Sequence, residues 1–145
     1  VKIQSEILLP FYRRLRTEIG EARAAELLRE AVEEYASALG SSVSQSTQGT
    51  SLEKLRSMLP TFTADSALDV EPVADTDEEL SVNVRGCRFA EYFHALGEPQ
   101  FGAMLTCEID SPMTTAIGSD LSLDRSQTIM TGDSHCDFKW KMQGS

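Results

Sequence analysis

The chain has 145 residues, 41% of them hydrophobic and 25% charged, with a net charge of −10. That length suits one compact domain, and the composition excludes a disordered chain. The charge argues against nucleic-acid binding, because an acidic fold repels the phosphate backbone.

The longest strongly apolar run is Ile7-Leu8-Leu9, too short to span a bilayer. Val1 to Glu6 lead straight into charged sequence with no apolar h-region, which reads as a cytoplasmic protein. Three cysteines, an odd number, argue against a disulfide framework. They are either small buried hydrophobes or a reactive or metal-binding set.

Residues 3–18 and 21–39 carry helical periodicity. In the second segment Ala24, Leu27, Leu28, Ala31, Val32, Tyr35 and Leu39 form one apolar stripe. Gly20 fits a cap between the two helices, and Pro10 starts or kinks the first. Arg13, Arg14 and Arg16 read as a solvated face near Glu18 and Glu21. Gly40 is expected to close the second helix, and residues 40–50 (GSSVSQSTQGT) to form a mobile loop. Ser51 opens a short helix to about Leu59, which Pro60 ends.

From residue 62 the period changes. Leu68, Val70 and Val73 alternate, as do Leu80, Val82 and Val84, around an acidic turn at residues 75–79; this is a hairpin pattern. Residues 87–97 read as a helix closed by Gly97. Pro99 opens another that runs beyond Cys107, with Asp110 at or past its end. Residues 121–130 and 135–142 read as strands joined by Thr131-Gly132-Asp133-Ser134. The expected fold is α+β in a single domain, 1–145. N-terminal helices (about 1–60) pack on a small, mainly antiparallel sheet, and two helices are inserted between the strand pairs.

Motifs for common chemistries are absent: no Gly-rich phosphate loop, no Gly-x-Ser-x-Gly, no His-Glu-x-x-His and no Cys-x-x-Cys. Three segments remain as candidates. Cys87, Glu91 and His94 stand at i, i+4 and i+7 and share a helix face, as a metal or acid–base cluster would require; the bland alternative leaves Glu91 and His94 at the surface. Cys107 and Asp110 are three apart. A carboxylate near a helix C-terminus opposes the dipole unless a partner holds it. In the third segment, strand alternation sends His135 and Asp137 to one face and Cys136 and Phe138 to the other.

Together, Cys87-x4-Tyr92-x4-Gly97, then Cys107-x2-Asp110, then Thr128-Ile129-Met130-x-Gly132-x3-Cys136-Asp137-Phe138 resemble the family named for L-2-amino-thiazoline-4-carboxylic acid hydrolase. The helix ending in Leu15-x3-Ile19-Gly20 is similar to that family's start. The closing Gly-x3-Cys-x-Phe also resembles the end of vinyl-reductase-type small-ligand-binding domains. The resemblance implies hydrolytic opening of a cyclic amidine: water adds to the C=N carbon of a thiazoline ring, and a C–N bond breaks.

Two routes fit the residues. In one, Cys107 attacks as thiolate, with Asp110 or His135 moving protons and Cys136 in the same centre. In the other, Cys87, Cys107 and Cys136, with Asp110 or a histidine, hold a divalent metal such as zinc. Cys87, Tyr92, Glu91 and His94 are the candidate substrate contacts. A sensor-like domain that encloses a small ligand without chemistry, and a structural domain with inert thiols, are the competing readings. The expected partner is a small molecule, with neither nucleic acid nor membrane. A homodimer is also expected, through apolar residues such as Phe11 and Tyr12 on the first helices.

Overall fold

Apolar residues at three- and four-residue steps make the first 63 residues helical. The structure, a computed structural model, describes residues 2–63 and 66–143, with side chains from residue 4 onward. Helix α1 spans Lys2–Ile19, α2 Glu21–Ser46 and α3 Ser51–Thr63. Gly20 separates the first two with a positive φ of 88°, a conformation glycine adopts without steric cost. Its N–H donates to the Arg16 carbonyl and its own carbonyl accepts from Ala24, so the residue ends one helix and begins the next.

Two expected stops are overridden. Gly40 lies inside α2, which runs on to Ser46, so the loop shrinks to residues 47–50. The reason is packing. A Cβ at Gly40 would come within 2.4 Å of the Met113 carbonyl oxygen and 2.8 Å of the Ala116 Cβ. The glycine admits another helix rather than ending its own. Pro60 likewise sits inside α3. It removes an N–H, yet a last turn forms, with the Thr63 hydroxyl 3.4 Å from the carbonyls of Leu59 and Pro60.

Strands β1 (Leu68–Asp75) and β2 (Glu79–Cys87) form the expected hairpin; β3 (Leu121–Asp124) and β4 (Cys136–Met142) complete the sheet. Its order is β1-β2-β4-β3, and every pairing is antiparallel. Both edges are blunted. β1 carries Pro72 and two register shifts, and β3 has four residues. The strand expected over residues 121–130 stops at Asp124, and a 3₁₀ turn forms at Ile129–Thr131.

Between β2 and β3 lie α4 (Arg88–Ala95), α5 (Pro99–Gly102), a π-helical turn (Ala103–Cys107) and α6 (Asp110–Ile117). Gly97, at φ 69°, closes α4: its N–H reaches the His94 carbonyl, and the Glu98 N–H reaches that of Phe93. The arginines of α1 are not simply solvated. Glu98 takes Arg13 at 3.2 Å and Arg16 at 3.0 Å, tying α1 to the start of α5.

The architecture is α+β. One core joins α2, α3 and α6 to the sheet through Ala36, Leu52, Leu55, Met113, Ile117 and Trp140. A second joins α1 and α2 to α5 and the π turn through Leu9, Tyr12, Leu28, Phe101 and Met104. Trp140 is buried, and its indole N–H donates to the Thr114 hydroxyl at 3.1 Å. That bond locks the sheet onto α6. Trp140→Phe is expected to cost about 2 kcal/mol of unfolding free energy, from one lost hydrogen bond and a small void. Urea denaturation would measure it, and an unchanged midpoint would contradict the assigned lock.

Candidate functional site

Three short segments converge where β2 meets α4, where the π turn meets α6, and where the 3₁₀ turn meets β4. Cys87 ends β2 and caps α4 from an extended backbone, its sulfur accepting the Ala90 N–H at 3.4 Å. Cys107 ends the π turn, in which the Glu108 N–H reaches back five residues to the Ala103 carbonyl at 2.9 Å. Such an extra residue in a helix re-aims the side chains that follow it, and π turns recur at functional sites. Cys136 opens β4, and its sulfur accepts the Ile129 N–H at 3.3 Å.

The surroundings are apolar. Cys87, Phe89, Tyr92, Leu105, Cys107 and Ile129 pack around buried Ala90, Phe93 and Met130. The last motif read in the sequence builds one wall. Gly132 takes a φ of 107°, closing the 3₁₀ turn. Asp133 accepts the Thr128 N–H at 2.9 Å, and Asp137 accepts the N–H groups of Ser126 at 2.9 Å and Gln127 at 2.7 Å.

Asp110 does not end a helix: it opens α6, with Ser111 and Pro112 behind it in the first turn, where proline is tolerated. Its carboxylate meets Arg125 Nη1 at 2.6 Å. The other arm of Arg125 donates to the Cys107 carbonyl at 3.1 Å, and the guanidinium lies 5.2 Å from the centre of the Phe138 ring. Both partners are largely buried, with side chains 20% and 15% exposed. Arg125 escaped the sequence reading. The signal lay in the cation count: beyond Arg88 the only basic residues are Arg125, Lys139 and Lys141. A buried Asp110 therefore had few partners to choose from.

Burial dominates the electrostatics. It pushes Asp110 up to about 6 against the pull of Arg125. It pushes Cys107 up to about 11; the Thr106 hydroxyl and Arg125 oppose the rise, while Asp110 and Cys136 add to it. Cys87 and Cys136 are raised for the same reason, each against backbone N–H donors. Ionising Cys136 is opposed by Asp110 and by any thiolate at Cys87, as ionising Cys107 is by Asp110 and Cys136, so the three sulfurs and the carboxylate share one electrostatic environment. At neutral pH all three sulfurs are thiols.

The remaining candidates stand apart. Tyr92 is half-buried in the apolar wall, whereas Glu91 and His94 point into solvent on α4. His135 precedes β4, and its Nδ1 lies 2.9 Å from the Ser134 hydroxyl. Among the described residues no three His, Cys, Asp or Glu are gathered to hold a metal ion. The sulfurs of Cys87 and Cys136, two of the three in the alternative zinc set, each accept a backbone N–H. An open hollow of about 580 Å³ on the outer sheet face reaches Arg125 from solvent, between Asp124, Ser126, Asp137 and Phe138.

The family model described as L-2-amino-thiazoline-4-carboxylic acid hydrolase matches residues 1–140. No curated protein matches the chain. Among solved structures, it is similar to the phenol-responsive sensory domain of the transcription activator PoxR with phenol. That likeness has 12% identity and a TM-score of 0.60, over 94% of this chain and 73% of that one. It is also similar to a trafficking protein particle complex subunit 3 from Naegleria fowleri covalently bound to palmitic acid. Here the identity is 12% and the TM-score 0.51, over 99% of this chain and 98% of that one. Both likenesses are of fold. No helix among the described residues is long and apolar enough to cross a membrane.

Proposed function

The chain belongs to the L-2-amino-thiazoline-4-carboxylic acid hydrolase family, and from that premise we propose that it opens a small cyclic amidine by adding water at the C=N carbon. The observation that carries this reading is the Asp110–Arg125 pair, largely buried beside three thiols at the end of a π turn. A carboxyl poised at about 6 exists in both protonation states near neutral pH, as proton transfer requires.

Asp110 takes a proton from the attacking water as its oxygen bonds to the amidine carbon. Asp110 passes that proton to the nitrogen, which takes the C=N electron pair. A ring bond of the tetrahedral adduct then breaks as its hydroxyl becomes C=O, and Asp110 carries the hydroxyl proton to the leaving atom. Arg125 steadies Asp110 and pairs with an anionic group on the substrate. Cys87, Cys107, Cys136 and Tyr92 form the close, weakly polar wall. A protonated Cys107 is a poor nucleophile, which favours direct attack by water over a covalent thiolate route. His135, Glu91 and His94 stand outside this centre and take no part in the step.

The test is to incubate the purified chain with 2-amino-thiazolines, with and without a ring carboxylate, and follow products heavier by one water. Turnover of carboxylated rings, undiminished by added chelator, is the expected result. A second reading rests on the apolar wall and the raised thiols: a domain that holds a small ligand without chemistry, as the phenol-bound relative in fold holds phenol. Saturable binding of the same panel with no turnover would favour that reading and sink the first.

A further inference from the structure

Helix α1 turns Glu6, Ile7, Pro10, Phe11, Arg13, Arg14, Thr17 and Glu18 to solvent. Ile7 is 71% exposed and Phe11 61%, a large apolar surface for neighbouring positions on one helix. Tyr12, expected on the same surface, is buried against Phe101 and is no part of it. Beside the two exposed side chains lies an open hollow of about 580 Å³, lined by Pro10, Arg13, Arg14, Thr17 and Glu18.

The charges on this face are self-complementary. Glu6 and Arg14 lie four residues, or about 6 Å, on either side of Pro10. Arg13 is held by Glu98, but neither Glu6 nor Arg14 forms an ion pair among the described residues. If a second α1 is laid antiparallel with Pro10 against Pro10, Glu6 of each copy faces Arg14 of the other. Ile7 then falls level with Arg13, inside the other copy's hollow. Each copy supplies both the knob and the hollow, as a twofold interface requires.

We propose that this face of α1 is an interface between two copies of the chain, packed antiparallel about Pro10 and held by two symmetric Glu6–Arg14 pairs. One helix face buries less area than a standard stable interface, so the pair forms and separates with concentration. The proposal is independent of the chemistry assigned to Asp110.

Sedimentation equilibrium over a range of concentrations tests it, with circular dichroism reporting the fold of each variant. Wild type is expected to pass from monomer to dimer. Glu6→Arg and Arg14→Glu are each expected to weaken the dimer by about three- to tenfold, because each places like charges together twice. The double variant exchanges the charges and is expected to restore wild-type association. Ile7→Asp is expected to leave a monomer. A wild type that stays monomeric, or a double variant as weak as the singles, would overturn the proposal.

Discussion

Asp110→Asn is expected to lower kcat/KM for ring opening by about 10²–10⁴-fold, the range for loss of a positioned general acid–base. The amide keeps the shape of the carboxyl and can still accept from Arg125, so substrate affinity should change far less than turnover. The pH profile makes the assignment specific. In the free enzyme Asp110 must be ionised to accept a proton, and burial sets its pKa at about 6. Wild-type kcat/KM should therefore rise through pH 6 and flatten above it, and the residual activity of Asp110→Asn should lack that rise. Equal turnover in the variant, or an unchanged profile, would remove Asp110 from the chemistry.

The same group leaves a mark on stability. Its pKa is higher in the folded chain than the ordinary value of 3.8, so between those pH values the folded state binds more protons than the unfolded one. Unfolding free energy must then fall as pH rises from about 4 to about 6, by about 3 kcal/mol from this group. Asp110→Asn should flatten that slope. The cost above pH 6 is what a buried, ionised carboxylate imposes, and a site that uses the charge must tolerate it.

Gly40→Ala is expected to destabilise the fold by about 1–3 kcal/mol, although alanine is the better helix former by about 1 kcal/mol. The added methyl would meet the Met113 carbonyl oxygen at 2.4 Å and the Ile117 backbone nitrogen at 3.2 Å. Neither can rotate away, because both belong to the backbone of α6. Relief requires α2 and α6 to separate, which loosens the core around Ala36, Met113 and Ile117. Ser42→Ala, two residues on and exposed, is the control and should be neutral or slightly stabilising. Thermal unfolding of both variants decides the matter: a Gly40→Ala protein as stable as the control would mean that the helices are not in this contact.

Much of the fold was legible in the chain, because the deciding interactions are local. Three- and four-residue apolar steps mark α1 and α2, and two-residue alternation marks the β1–β2 hairpin. Gly20 and Gly97 mark ends by adopting a backbone that other residues avoid. The errors share one cause. Gly40 and Pro60 read as stops by local preference, but packing outweighs preferences of about 1–3 kcal/mol. The strand expected to reach residue 130 stops at Asp124. Beyond it the backbone is drawn into a turn by Asp133, Asp137 and the Cys136 sulfur.

For the candidate site, residue types and spacing offered Cys87, Cys107, Asp110 and Cys136 as candidates, and the motifs they sit in pointed to the family to which the chain belongs. They asked a partner of Asp110 for a reason that does not hold, a helix C-terminus; Asp110 opens α6, and it is burial that makes the partner matter. What they could not carry is which groups meet. Arg125 lies 15 residues from Asp110 in sequence yet 2.6 Å away in space. His94 and Glu91 share a helix with the site yet face away from it. Protonation was equally out of reach, since nothing in a string of residues says how much water a carboxyl or a thiol keeps. Composition and periodicity carried the fold class and most of the elements. Tertiary packing alone decided the partner of Asp110, the protonation of the thiols and the continuation of α2 through Gly40. Those depend on the distance and desolvation of groups brought together from separate segments.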